Sequence, residues 1–381
     1  MKSTRRAFLS AGGASALALS LAACSKSQKT KTAATQASGT PIAEPVLNDK
    51  QLSEILQRVQ VGLETADKEK NAEKLKEVMS GPAARIRAAE YATASASGNN
   101  EFIHPVTTKI QGGGVGQTAG FPRNAAAASE GASPSILSLE QNSARDQFKV
   151  WAWVQGFSEQ KNIPVLTKQS AQHAKQVTAD SAGLVATPKA VLDAYVDALN
   201  NPEGENGKAF PDDLLRQKIQ ATRATNLSSL GEVSVTATAG ADGFQGLQME
   251  EGDGGALVFT TLTYTVVYKR TVDGSDLTLQ GDVAALMGGN QKIIGTVTAT
   301  YDSMVAFAIP KEGSGEKAAI LGAETALIKE ALKEHGSVIV DRLESELREY
   351  FGVKHAVTTN NNSAAHHLAL CSMDLKRGDK I

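Results

Sequence analysis

Twice along this chain an amphipathic helical pattern gives way to two-residue alternation, and that order constrains the fold more than any other feature. Asn48 is placed to cap a helix, with Gln51 at the reciprocal capping-box position. Leu52, Ile55, Leu56, Val59 and Leu63 then share one helical face. A second helical piece carries Leu75, Val78 and Met79 up to the break at Ser80-Gly81-Pro82, and a third runs from Pro82 through Ile86 to Tyr91. From residue 102 the period becomes two: "EFIHPVTTKI", "SILSLEQ" and "DQFKVWAWVQGF" predict strands. Residues 111–134, rich in Gly and Ala, read as a long irregular loop. The second half repeats the order. Thr187-Pro188 opens the helix "KAVLDAYVDALN", and "PDDLLRQKIQATRA" follows with Leu214, Leu215 and Ile219 on one face. The strands "GEVSVTATA", "GALVFTTLTYTVVYKR", "SDLTLQGDV" and "KIIGTVTATYDSMVAFAI" come next, with Asp273-Gly274 as a tight-turn dipeptide between two of them.

Helices first and antiparallel strands afterwards, twice over, predict an α+β chain. The expected architecture is two tandem domains, 47–180 and 181–328, each with helices against a curved antiparallel sheet in the manner of nuclear-transport-factor-2 or cystatin folds. A chain of 381 residues with 41% apolar composition has material for about two such cores. Only Cys24 and Cys371 are present, so the body is expected to hold together without an internal disulfide.

Residues 1–23 contain no acid; Lys2, Arg5 and Arg6 precede an uncharged run from Ala7 to Ala23. That run is too short for a permanent span of a hydrocarbon core about 30 Å thick, and it reads as a signal peptide. Arg5 and Arg6 within "STRRAFLS" resemble the twin-arginine export motif. Leu21-Ala22-Ala23-Cys24 resembles a lipobox, which implies that Cys24 is lipidated and becomes the first mature residue. Ser25 to Val46 is polar and proline-punctuated, so residues 24–46 read as a flexible tether. The expected location is the extracytoplasmic face of the cell membrane, with the membrane as partner through Cys24. Removing residues 1–23 shifts the formal charge from −2 to −5, which argues against a nucleic-acid partner.

The body offers little recognisable chemistry. Between residues 47 and 328 the only histidines are His104 and His173, and no His/Asp/Glu set has metal-ligand spacing. "GGGVGQTAG" formally satisfies a dinucleotide-binding pattern, but Gly120 and Pro122 follow where a helix is required, so it reads as loop. "EEGDGG" (250–255) lacks the alternating carboxylates of a calcium loop and reads as a hairpin turn. Trp151 and Trp153 share a strand face. They either line a pocket or partner surface or lie buried under a covering helix, and Tyr264 and Tyr268 admit the same two readings. The stretches "LSEILQRVQVGLETADKEKNAEKLKEVMSGPAARIRAAEY", "ARDQFKVWAWV", "GLVATPKAVLDAY", "DGGALVF" and "TYDSMVAFAIPKEGSGEKAAILGAE" resemble uncharacterised secreted lipoproteins of actinobacterial type, over about residues 47–328. That resemblance implies no assigned activity.

Beyond Leu327 the character changes. Leu343, Leu347 and Tyr350 mark an amphipathic helix ending near Gly352, and a second helix is expected through Leu368 and Leu370. Phe351 to Val357 ("FGVKHAV"), then Ala364, Ala365, His367 to Leu370, and Gly378 to Ile381 resemble the start of the DegT/DnrJ/EryC1/StrS sugar aminotransferases. By that resemblance Asn362 and Ser363 occupy the positions that cradle the pyridoxal phosphate group, although Asn362 departs from the usual Gly and His366 from the usual Leu. Residues 329–381 thus read as a partial α/β fragment. It stops before the cofactor-binding Asp and the aldimine lysine, so no functional cofactor is expected. His366, His367 and Cys371 read as fragment residues and not as a metal site. The sequence therefore favours an anchored, non-catalytic lipoprotein that binds a small ligand or a protein partner. The alternatives are an inactive aminotransferase fragment, or a hydrolase or isomerase working in a helix–sheet pocket.

Overall fold

The computed structural model describes residues 45–129, 134–157, 174–227, 230–249, 254–272, 277–288, 292–293, 295–333, 336–359 and Ala365. Chain contacts divide at Ile42/Ala43, and the unit Met1–Ile42 lies outside the described residues. Helix α1 (Asp49–Glu69) begins at the expected box: Gln51 N donates to Asn48 Oδ1 and Asn48 N to Gln51 Oε1, both at 2.9 Å. Its buried stripe is Leu52, Leu56, Val59, Leu63 and Ala66. Asn48→Ala removes the acceptor for an otherwise orphaned N–H and is expected to cost about 1 kcal/mol in urea unfolding. Helices α2 (Ala72–Leu75) and α3 (Gly81–Ser97) follow, then strands β1 (Ile110–Gln117), β2 (Arg123–Ser129), β3 (Ser135–Gln141) and β4 (Lys149–Gly156). Next come β5 (Ala174–Val177), α4 (Pro188–Asn200), α5 (Glu205–Ala209), α6 (Leu214–Arg223), β6 (Gly231–Ala239), β7 (Gln245–Met249) and β8 (Ala256–Arg270). The remainder is β9 (Leu277–Thr278), α7 (Gly281–Leu286), β10 (Lys292–Ile293), β11 (Thr296–Ile309), β12 (Ala319–Lys333) and α8 (Gly336–Phe351).

The expectation of two tandem helix-plus-sheet domains is overturned. Ten strands form one mixed sheet in the order β11-β12-β4-β3-β2-β1-β5-β7-β8-β6, and β11 also pairs with β8. That last pairing closes nine of the strands into a barrel, with β6 beside the far half of β8. The halves join directly where β12 meets β4 and where the parallel pair β1–β5 continues into β7. The physical reason lies in the long strands. On β8 and β11, Leu257, Phe259, Met304 and Ala306 pack into the core shared with α1 and α3. Their alternate neighbours Val258, Tyr264, Val305 and Phe307 pack into a second core shared with α4 and α6. Strands buried on both faces form a wall between two cores and cannot be divided between separate domains.

Several local expectations change with it. Residues 111–129 are not a loop: Gly112 to Val115 pair with Ala128 to Ala125 as an antiparallel hairpin. Small side chains are needed there because α1 docks closely; a Cβ at Gly113 would lie 2.6 Å from Leu52 Cδ2. Within "EFIHPVTTKI" residues Asn100–Phe102 form a 3-10 turn, and only Ile110 enters a strand. "SDLTLQGDV" supplies the two-residue strand β9 and the start of α7. Strand β12 extends the body to Lys333, beyond the expected boundary at 328. Strands β3 and β6 coincide with "SILSLEQ" and "GEVSVTATA".

Candidate functional site

Three elements remote in sequence converge on one charged cluster. Helix α3 places Arg87 and Glu90 one turn apart on its buried face. The segment after the 3-10 turn brings in His104, and the middle of β12 contributes Glu324. His104 Nδ1 lies 2.7 Å from Glu324 Oε1 and 3.0 Å from Glu90 Oε1. Arg87 Nη1 donates to Glu90 Oε2 at 2.6 Å and to the His104 carbonyl at 2.7 Å, while Nε lies 3.5 Å from Asp67 Oδ1. Tyr91 donates its hydroxyl to the same Asp67 oxygen at 2.6 Å. The Arg87 side chain is fully buried, its guanidinium 5.1 Å from the centre of the Trp153 ring. Glu90 and Glu324 are 2% and 7% exposed at their side chains, whereas His104 is 46% exposed, so the cluster reaches solvent through the imidazole.

The electrostatics follow from this geometry. Hydrogen bonding to Glu324, and then to Glu90, pushes the His104 imidazole up to about 10 and holds it protonated at neutral pH. Burial raises Glu90, opposed by its hydrogen bond with His104 and by the Arg87 charge. The oxygens of Glu90 and Glu324 and a ring nitrogen of His104 all lie within 4.8 Å of one another, a spacing able to hold a metal ion. Glu90 and His104 are 14 residues apart, and His104 and Glu324 220, so no spacing motif announces them. The legible signal was the face of α3: Arg87 and Glu90 fall in the same buried stripe as Ala83, Ile86 and Ala94.

Two other polar networks close on themselves. Arg85 Nε donates to Asp302 at 2.6 Å and its Nη1 to Asp242 at 3.0 Å. Glu140 accepts from Ser80 Oγ and Gln245 Nε2, each at 2.7 Å. Open hollows flank α1 on both sides. One of about 610 Å³ is lined by Ser53, Gln57, Gln60, Thr107 and Thr108, and another of about 400 Å³ by Arg58, Val61, Thr65 and Lys74.

Trp151 and Trp153 are 6% and 0% exposed and pack in the first core, so neither forms part of a free surface. Gly81, at the start of α3, sits against the Trp151 ring: a Cβ there would lie 2.8 Å from it. Tyr264 is buried and stacks on Tyr301 with ring centres 4.8 Å apart. His173, Asn362, Ser363, Cys24, Arg5 and Arg6 lie outside the described residues. The amphipathic helix expected before Gly352 is α8, and Gly352 leaves it with φ +64°. Leu343, Tyr350 and Phe351 on it are exposed.

Two family models match. The DegT/DnrJ/EryC1/StrS aminotransferase family matches residues 317–381, a stretch whose first part is β12 of the barrel. No curated protein and no solved structure matches the chain. The second family model, described as a domain of unknown function (DUF8094), spans residues 43–331 and so takes in the barrel strands up to the last two residues of β12, together with Glu90, His104 and Glu324. The chain belongs to the DUF8094 family.

Proposed function

We propose that the protein is an extracytoplasmic lipoprotein, anchored through acylated Cys24, whose barrel binds a small ligand or a protein partner without transforming it. The observation that carries this reading is a boundary. The family match begins at residue 43, behind the lipobox-like Leu21-Ala22-Ala23-Cys24 and inside the polar, proline-punctuated run 24–46 that reads as a tether. Two or more acyl chains anchor durably where a single one is marginal. No helix among the described residues is long and apolar enough to cross a membrane. The hollows beside α1 are the surfaces offered to a ligand.

Fractionation of the native host tests the anchor. The wild-type chain is expected in the membrane fraction with the mass of an acylated product starting at Cys24. The Cys24→Ser chain is expected to leave that fraction. A soluble wild-type chain that retains residues 1–23 contradicts the reading.

The match over residues 317–381 supports a second reading, an aminotransferase-type fragment. Adding pyridoxal phosphate to the full chain tests it. Saturable, non-covalent binding that is lost in Ser363→Ala is the result that would favour it.

A further inference from the structure

We propose that Glu90, His104 and Glu324 form a binding site for one divalent transition-metal ion. Three observations carry it. The first is convergence. Two carboxylate oxygens lie 2.7 and 3.0 Å from a single Nδ1, and a ring nitrogen carries only one proton to share between them. Ligands held about 2.1 Å from a six-coordinate ion stand about 3.0 Å apart along each edge, so the two edges that meet at Nδ1 already have the spacing of an octahedral face, and the third, between the carboxylates, is no longer than 4.8 Å. The second is charge. Asp67, Glu90 and Glu324 supply three carboxylates against the single guanidinium of Arg87. A dication held by the neutral imidazole and the carboxylates makes the cluster neutral. The third is support. Arg87 Nη1 fixes the far oxygen of Glu90 at 2.6 Å, and Thr325 N donates to Glu324 Oε1 at 3.1 Å. Outer partners of this kind orient the ligands of a metal site.

One imidazole nitrogen with two carboxylates suits zinc, manganese or iron better than calcium or magnesium, which take oxygen alone. Loading exchanges the Nδ1 proton, released to solvent, for the ion. The half-exposed imidazole gives access from solvent, and water completes the coordination on that side.

The test uses the full-length chain, stripped with chelator and equilibrated with ZnSO4 or MnCl2. The expected result is one equivalent of Zn2+ per chain in wild type. His104→Gln and Glu324→Gln are each expected to bind more than about 100-fold more weakly, beyond the 10–100-fold typical of losing an outer partner. Should those variants fail to fold, pulsed electron paramagnetic resonance of the Mn2+-loaded wild type decides. The chain holds six histidines, so the spectrum is repeated with every histidine except His104 changed to Gln. Coupling to an imidazole nitrogen that persists there supports the site. No stoichiometric uptake, uptake unchanged in both variants, or bound Mn2+ without nitrogen coupling overturns it.

Discussion

Replacing Arg87 by Met is expected to destabilise the protein by about 3–5 kcal/mol, the range seen when one partner of a buried ion pair is removed. The guanidinium is fully buried, yet its removal costs far more than lost packing, because Met fills much of the same volume. What remains is Glu90, 2% exposed, facing Glu324 across a single imidazole, while Asp67 keeps its Tyr91 hydroxyl donor and loses the nearby charge. The His104 carbonyl loses its donor as well, which loosens the segment that delivers the imidazole. Urea unfolding gives the magnitude. Adding Glu90→Gln in the Arg87→Met background is expected to restore about 1–3 kcal/mol by removing the stranded charge, a coupling that packing alone does not produce. A cost below about 1 kcal/mol for Arg87→Met, or strictly additive effects, would show that the cluster is not electrostatically coupled.

Gly322→Val is expected to open the barrel. Among the described residues, β12 and β4 pair through Gly322↔Gly156 and Ala323↔Gln155. A Cβ at position 322 would overlap the backbone carbonyl oxygen of Gln155 and lie 2.9 Å from its carbon, and backbone cannot rotate out of the way. The strand must shift, and the neighbouring Phe157 N to Leu321 O bond, 2.9 Å long, shifts with it. Overpacking of this kind costs about 1–3 kcal/mol and more where backbone is displaced, so a loss of about 3 kcal/mol is expected. Hydrogen exchange at the Phe157 amide should accelerate along with it. Gly120→Ala serves as control, since the nearest atom to a Cβ there is Thr118 Oγ1 at 3.9 Å. Equal stability of Gly322→Val and wild type would mean that the seam is not a true strand pairing.

What could be read from the sequence was local. Asn48 with Gln51 marked the start of α1, Thr187-Pro188 that of α4, and the alternating strands β3 and β6 stood out. These signals depend on neighbours within one element. Closure of the barrel does not, because nothing in "AWVQG" or "ILGAE" names the other as its partner. Strands β1 and β2 were hidden because close docking of α1 and burial of both faces replace alternation with Gly and Ala. Strand β12 was hidden for the opposite reason. "AETALIKEALK" is made of good helix formers, and its pairing with β11 from Ala319 to Lys333 overrides that preference. The same override conceals Glu324, so the charged cluster emerges only once β12 is a strand alongside α3. The tryptophans sat on a recognisable strand, but its two faces are both covered, which the pattern "KVWAWV" alone cannot tell from one open face.

Both halves of the chain form one closed sheet, without which Glu324 could not reach His104. Pulse-labelled hydrogen exchange across a urea titration tests it most directly, comparing peptides from β2 to β4 with peptides from β6 to β8. A continuous sheet predicts one midpoint shared by both sets, because β8 and β11 contribute a face to each core. Two separated midpoints, with one half protected while the other exchanges freely, would mean two independent domains and would contradict the account.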